Sequence, residues 1–209
     1  MILTKYLHAC FTVEKDGKLI VVDPGAFSTD FITPGNVLAV IVTHAHGDHF
    51  DHDQLEAIID KNPDAIIIGD DSITSKIDVF ETHTVKAGDH MVVGQFELDF
   101  TGGEHALIHE SIPRATNVGV IINELLYYPG DSFVSPGMAI DTLAIPAGAP
   151  WMKTGEAMDF IKAVKPRFAF PTHDVLLSES GKAIADQMLS TIAKSNDIEY
   201  RRLEEPIEI

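Results

Sequence analysis

Val37-Leu38-Ala39-Val40-Ile41-Val42-Thr43-His44-Ala45-His46-Gly47-Asp48-His49 is the stretch whose reading decides the fold. A run of apolar residues of strand length passes directly into three imidazoles and one carboxylate within six residues. Such an unbroken apolar run fits a strand covered on both faces, as in a parallel sheet. From an extended or tightly turning backbone His44 and His46, two residues apart, point the same way and address one ion. Gly47 permits a sharp change of direction, after which Asp48 and His49 face a second point. Imidazole nitrogens and carboxylate oxygens are the ligands of zinc and other borderline divalent ions. The run is internal and follows a buried-strand pattern, so it is neither a tag nor a stretch of surface histidines.

The pattern His-x-His-x-Asp-His resembles that of the metallo-β-lactamase-fold hydrolase superfamily, and the chain is similar to its short single-domain members akin to the ascorbate-phosphate lactonases. The resemblance implies the metallo-β-lactamase fold, a four-layer αββα sandwich of the α/β class (α+β in some schemes), with a dinuclear site between two sheets. It further implies a third His, an Asp and a last His, each following a strand. Matched position by position, His44, His46 and His105 hold one ion, Asp48, His49 and His173 hold the other, and Asp131 bridges them. An anionic ligand between two dications reduces their mutual repulsion. His109, four residues beyond His105, competes for the third-ligand position and otherwise reads as a group touching the ligands or the substrate. The zinc lactamase branch carries Cys where this chain has Asp131, which points away from β-lactam hydrolysis.

Composition sets the outer bounds. A chain of 209 residues with 45% apolar and 22% charged residues suits one domain, 1–209, with a substantial core. No apolar run reaches membrane-spanning length, and the start, Met1-Ile2-Leu3-Thr4-Lys5-Tyr6, lacks the pattern of a secretion signal. The expected compartment is the cytoplasm, which the single cysteine, Cys10, suits as a buried hydrophobe. A formal charge of -17 repels a phosphate backbone. Nucleic acid and membrane are therefore not expected as partners, and a small molecule, anionic if it exploits the bound cations, is.

Elsewhere the pattern supplies the scaffold. Leu3 to Val13 and Lys18 to Val22 read as strands of a hairpin, with His8 in the first either as a packed residue or, as the resemblance implies, at the edge of the site; Asp23-Pro24-Gly25 ends the second. Asp23 serves equally as a turn residue or as a buttress of the ligand loop. Asp51 or Asp53 caps a helix over Gln54–Ile59, and Ala65–Ile68 returns as the next parallel strand. Val79–Val85, Met91–Val93 and Phe96–Phe100 read as short strands joined by hairpin turns at 86–89 and 94–95, with His83 and His90 structural. Asn117–Ile122 and Leu125–Tyr128 form another hairpin that delivers Asp131. Asp141–Ile145, a helix capped by Thr154, and the last strand, Arg167–Phe170, repeat the crossover of the first half and deliver His173. Gly181–Lys194 is an amphipathic helix. Trp151, the only tryptophan, belongs to a pocket wall or to the core.

Two divalent ions, zinc first with Mn2+, Fe2+ or Ni2+ also compatible, make the expected function metal-dependent hydrolysis of a small ester, lactone or related bond. Asp48 is the candidate proton acceptor for the attacking water, with Asp131 and His109 as further catalytic candidates. The alternatives are a phosphodiesterase of the same superfamily acting on a small substrate, and a non-catalytic or redox di-metal protein.

Overall fold

A computed structural model describes residues Met1–Ile209. The first half runs β1 (Ile2–Lys5), β2 (Phe11–Lys15), β3 (Lys18–Val22), β4 (Val37–Ile41), α1 (His52–Lys61), β5 (Ile66–Gly69), α2 (Asp71–Thr74) and β6 (Thr82–Thr84). The second runs β7 (His90–Val93), β8 (Phe96–Glu104), β9 (Thr116–Ile122), β10 (Leu126–Tyr128), β11 (Thr142–Pro146), α3 (Thr154–Val164), β12 (Phe168–Thr172), α4 (Glu179–Lys194), β13 (Glu199–Tyr200) and β14 (Ile207–Glu208). These make two seven-stranded sheets, ordered β14-β1-β2-β3-β4-β5-β6 and β13-β12-β11-β10-β9-β8-β7. In each sheet one side is antiparallel and the other parallel, and the parallel pairs β4–β5 and β11–β12 are joined through α1 and α3.

Strand alternation builds the layers. On β12, Phe168 and Phe170 enter the apolar layer between the sheets, while Ala169 joins the layer beneath α3 and α4. On β4, Ala39 and Ile41 face the inter-sheet layer, and Val40, with Val42 just beyond the strand, faces the layer that holds Leu55, Ile58 and Ile59 of α1. A bulge at Leu38 sets that phase, because Leu19 pairs with Val37 while Ile20 pairs with Ala39. Three apolar layers separated by two sheets are the αββα sandwich. Each fully buried Leu, Ile or Phe in them contributes about 1.5–3 kcal/mol of transfer free energy.

Several elements depart from their sequence expectation. The first strand breaks after Lys5: Tyr6 N donates to Cys10 O at 3.0 Å, and His8 takes a left-handed φ of 57° in the resulting turn. His8 is thus in a loop between β1 and β2, not packed within a strand. Cys10 is buried beside β2, in the layer beneath α1. Of Val79–Val85 only Thr82–Thr84 is strand, and Val79 is 81% exposed. The 86–89 turn is not a hairpin; it carries the chain from the edge of one sheet to the edge of the other. Thr154 is the first residue of α3 and Lys153 its N-cap. β12 is not the last strand, since β13 extends the second sheet and β14 pairs with β1. No helix is long and apolar enough to cross a membrane.

The topology matters for chemistry because β3, β4, β8, β10 and β12 all end at one edge of the sandwich. Backbone bonds stitch the sheets together there: Val118 N donates to Thr43 O at 2.9 Å and His173 N to His8 O at 3.0 Å.

Candidate metal centre

The loop after β4 is held from below by Asp23. Fully buried at the end of β3 with φ 46°, Asp23 accepts from Thr43 N at 2.8 Å, from Thr43 Oγ1 at 2.7 Å and from His49 Nδ1 at 2.7 Å. Of its two sequence roles, the structure gives it the buttress. Gly25 closes the same contact, since a Cβ there would stand 2.0 Å from the main-chain oxygen of Asp48. Gly130, at φ 63°, lies in the loop that delivers Asp131; a Cβ would stand 2.3 Å from Asn117 Oδ1. That amide oxygen accepts from Asp131 N at 2.9 Å and its Nδ2 donates to Pro129 O at 2.9 Å, so Asn117 sets the Asp131 turn. The sequence offered a faint signal for Asn117: a polar residue, fully buried here, opening an apolar strand.

Seven of the expected side chains converge. His44 Nε2 lies 3.1 Å from His46 Nδ1, and these two group with His105 as donors able to share one ion. A second group gathers Asp48, His49 and His173, and adds His8. Asp131 stands between them: Oδ2 is 3.2 Å from His105 Nε2 and 3.0 Å from His173 Nε2, and Oδ1 is 3.4 Å from His49 Nε2. His8 Nε2 donates to Asp48 Oδ2 at 2.9 Å. His109 is not brought in; it is exposed on the loop between β8 and β9, where Ser111 N donates to its Nδ1 at 3.2 Å. His52 and His83 are also exposed, and His90 pairs with Asp99 across β7 and β8 at 2.8 Å.

The donor set fits cations. The Nδ1–H groups are committed outward: His105 to Ala106 O at 2.6 Å, His173 to Gly148 O at 3.0 Å, and His49 to Asp23. Thr43 Oγ1 spends its proton on Asp23 and therefore accepts from His44 Nδ1 at 3.1 Å. In each neutral ring the inward Nε2 then carries a lone pair on the side of Asp131 and, for His49 and His173, of Asp48 as well. His49 Nε2, His105 Nε2 and Asp131 Oδ1 are buried with no hydrogen-bond partner, an arrangement that is expensive unless a cation completes it.

The ionisation of the metal-free cluster says the same. Burial pushes His44 well below the usual imidazole range and also lowers His46 and His8. Burial opposes ionisation of Asp131, yet His49, His105 and His173 hold its carboxyl well below the usual range. Burial likewise lowers His173, but bonds to Asp131 and Asp48 outweigh it and raise the imidazole to about 10. A proton there occupies a position that a bound dication would take over.

Access is one-sided. His44, His49, His105, Asp131 and His173 are buried, whereas His46 and Asp48 are half-buried at the open edge. Beside His46 and His105 a small recess is lined by Ala106, Ile108, Ile112, Pro113, Arg114 and Ala115, and Arg114 pairs with Glu104 at 2.8 Å. A roomier cleft of about 530 Å³ beside Arg202 gathers none of the orphaned donor atoms.

Comparison with known proteins shows the family and the fold. Residues 2–173 match the family described as beta-lactamase superfamily domain. Protein Rv0786c of Mycobacterium tuberculosis is 33% identical over 88% of this chain and 89% of its own length. The UPF0173 metal-dependent hydrolase TK0141 of Thermococcus kodakarensis is 28% identical over 83% of this chain and 84% of its own. Among solved structures, Igni18, a metallo hydrolase from Ignicoccus hospitalis, superposes with a TM-score of 0.75 at 21% identity, covering 100% of this chain and 98% of that one, a likeness of fold.

Proposed function

The chain belongs to the beta-lactamase superfamily, and from that membership we propose that it is a metal-dependent hydrolase that holds two divalent ions, zinc first, and opens a small ester, lactone or related bond. The observation that supports this is the convergence of inward lone pairs and carboxylate oxygens in overlapping donor groups at one edge of the sandwich. His44, His46 and His105 would hold one ion, Asp48, His49 and His173 the other, and Asp131 both. Such a pair, when bound, supplies polarisation of the scissile carbonyl and activation of water at neutral pH.

The chain's own groups do the rest. Asp48 is the one carboxylate of the cluster at the open edge, with 20% of its side chain exposed, and it accepts the proton of the attacking water. His8, donating to Asp48 Oδ2, fixes that carboxylate's orientation. Asp131 is enclosed and serves as the fixed anion between the half-sites. His109 takes no part. That the relative TK0141 is named a metal-dependent hydrolase supports the reaction class. The formal charge of -17 disfavours nucleic acid as substrate, and residues 1–209 act as one domain in the cytoplasm.

The test is a panel of lactones, aryl esters, thioesters and small phosphodiesters, assayed with and without chelator. Chelator-sensitive turnover of the carbonyl compounds is expected. Turnover of phosphodiesters alone would move the assignment to phosphodiesterase, and two bound ions without turnover of any compound would favour a non-catalytic protein.

A further inference from the structure

The proposed chemistry leaves one buried polar contact without a role. Trp151 lies in the loop between β11 and α3, is 9% exposed, and donates its indole Nε1–H to Asp131 Oδ2 at 2.8 Å. Its ring meets Phe133 edge-on at 5.3 Å, and Phe133 meets Phe160 of α3 at 5.2 Å, so the indole is braced against a helix. Around the Asp131 carboxylate stand the Nε2 atoms of His105, His173 and His49. Each of those rings commits its Nδ1–H elsewhere, so with ions bound none of them has an N–H left for Asp131. No main-chain N–H donates to the carboxylate either; the Asp131 N–H itself goes to Asn117.

We infer that Trp151 is a positioning residue for the dinuclear centre: its indole N–H is the only hydrogen-bond donor to the Asp131 carboxylate that bound ions do not displace, and it fixes the rotation of the bridging group. A carboxylate turns freely about its last torsion, which is broad and roughly two-fold. Held at Oδ2 by the indole, Asp131 keeps Oδ1 directed at the His49 side, where it has no other partner. Without the donor, the carboxylate rotates and neither ion meets a fixed bridge. This inference rests on the two-ion assignment above.

The experiment compares wild type with Trp151→Phe, which keeps an aromatic ring and removes the donor. Zinc affinity is measured by chelator competition and ligand geometry by the visible spectrum of the cobalt(II)-loaded protein. The variant is expected to bind zinc 10- to 100-fold more weakly, the range for partners that orient metal ligands, and to show an altered cobalt spectrum. Unchanged affinity and an unchanged spectrum would overturn the assignment and leave Trp151 as packing. Since the chain has one tryptophan, growth on benzothienylalanine replaces this residue alone with a near-isostere that lacks the N–H, which covers a failure of the Phe variant to fold. In zinc-loaded wild type the single indole N–H resonance is expected downfield of free indole and protected from solvent exchange; free-indole behaviour would also overturn the assignment. If wild type binds no zinc, the two-ion assignment falls. If wild type binds two ions and both donor-less forms match it, only the role of Trp151 falls.

Discussion

Asp23→Asn is the sharpest perturbation of the frame behind the ligand loop. Asparagine tolerates the φ of 46°, so the backbone turn survives and the change is confined to hydrogen bonding. Aspartate accepts three bonds, one at Oδ1 and two at Oδ2. With the amide nitrogen at the Oδ2 position, an N–H group faces Thr43 Oγ1 and His49 Nδ1–H. With the amide flipped, it faces Thr43 N–H instead. Either way a buried donor meets a donor, and bonds worth about 1.5–3 kcal/mol each to a charged acceptor are lost or weakened. We expect a loss of about 3–5 kcal/mol of stability in the metal-free protein, the range for breaking a buried charged network. His49 would also lose the acceptor that fixes its tautomer, which lowers metal affinity 10- to 100-fold, about 1.4–2.8 kcal/mol. Urea unfolding of both proteins, with zinc and with chelator, separates the two effects: the variant's deficit should be larger with zinc. An equal deficit in both conditions would refute the claim that Asp23 acts on the ligands and leave it a purely structural residue.

Gly25→Ala should be among the most damaging single-methyl changes in the chain, because the added Cβ overlaps the Asp48 backbone; a loss of about 1–3 kcal/mol or more, with reduced zinc content, would show in denaturant melts and elemental analysis. Cys10 should resist a thiol reagent in the native protein and react only on unfolding, because its burial pushes the thiol well above its usual range. At the surface, bonds from Arg167 lower the Asp141 carboxyl despite some desolvation, and Arg167 is largely solvated while Asp141 is half-buried. A depressed carboxyl contributes stability above its unfolded value of about 3.9 and loses it as pH falls through the folded value. Asp141→Asn should therefore cost up to about 1 kcal/mol at neutral pH, and the difference from wild type should shrink toward zero below about pH 3–4; a pH-independent difference would contradict the ion pair.

The sandwich and most of the cluster were legible because they rest on local pattern. His44 to His49 announce ligands by type and spacing, and the apolar run before them announces a buried parallel strand; His105, Asp131 and His173 follow from strand ends once the superfamily pattern is recognised. What escaped depends on contacts between distant segments. His8 meets Asp48 across 40 residues through a turn that no propensity marks, in a segment whose apolar residues favour a continuous strand. Trp151 reaches Asp131, and Asn117 holds the Asp131 turn, through side chains whose partners no periodicity identifies. Asp-Pro-Gly at residues 23–25 reads as a strand stop, and only packing against Asp48 reveals why the third position has no side chain. The edge strands β13 and β14 are two residues long, too short for alternation to register.

The most direct test of the two-ion centre is the metal content of protein purified without added metal, determined by elemental analysis of the wild type. Close to two divalent ions per chain are expected, and a preparation that carries none and takes up none from a zinc buffer would contradict it.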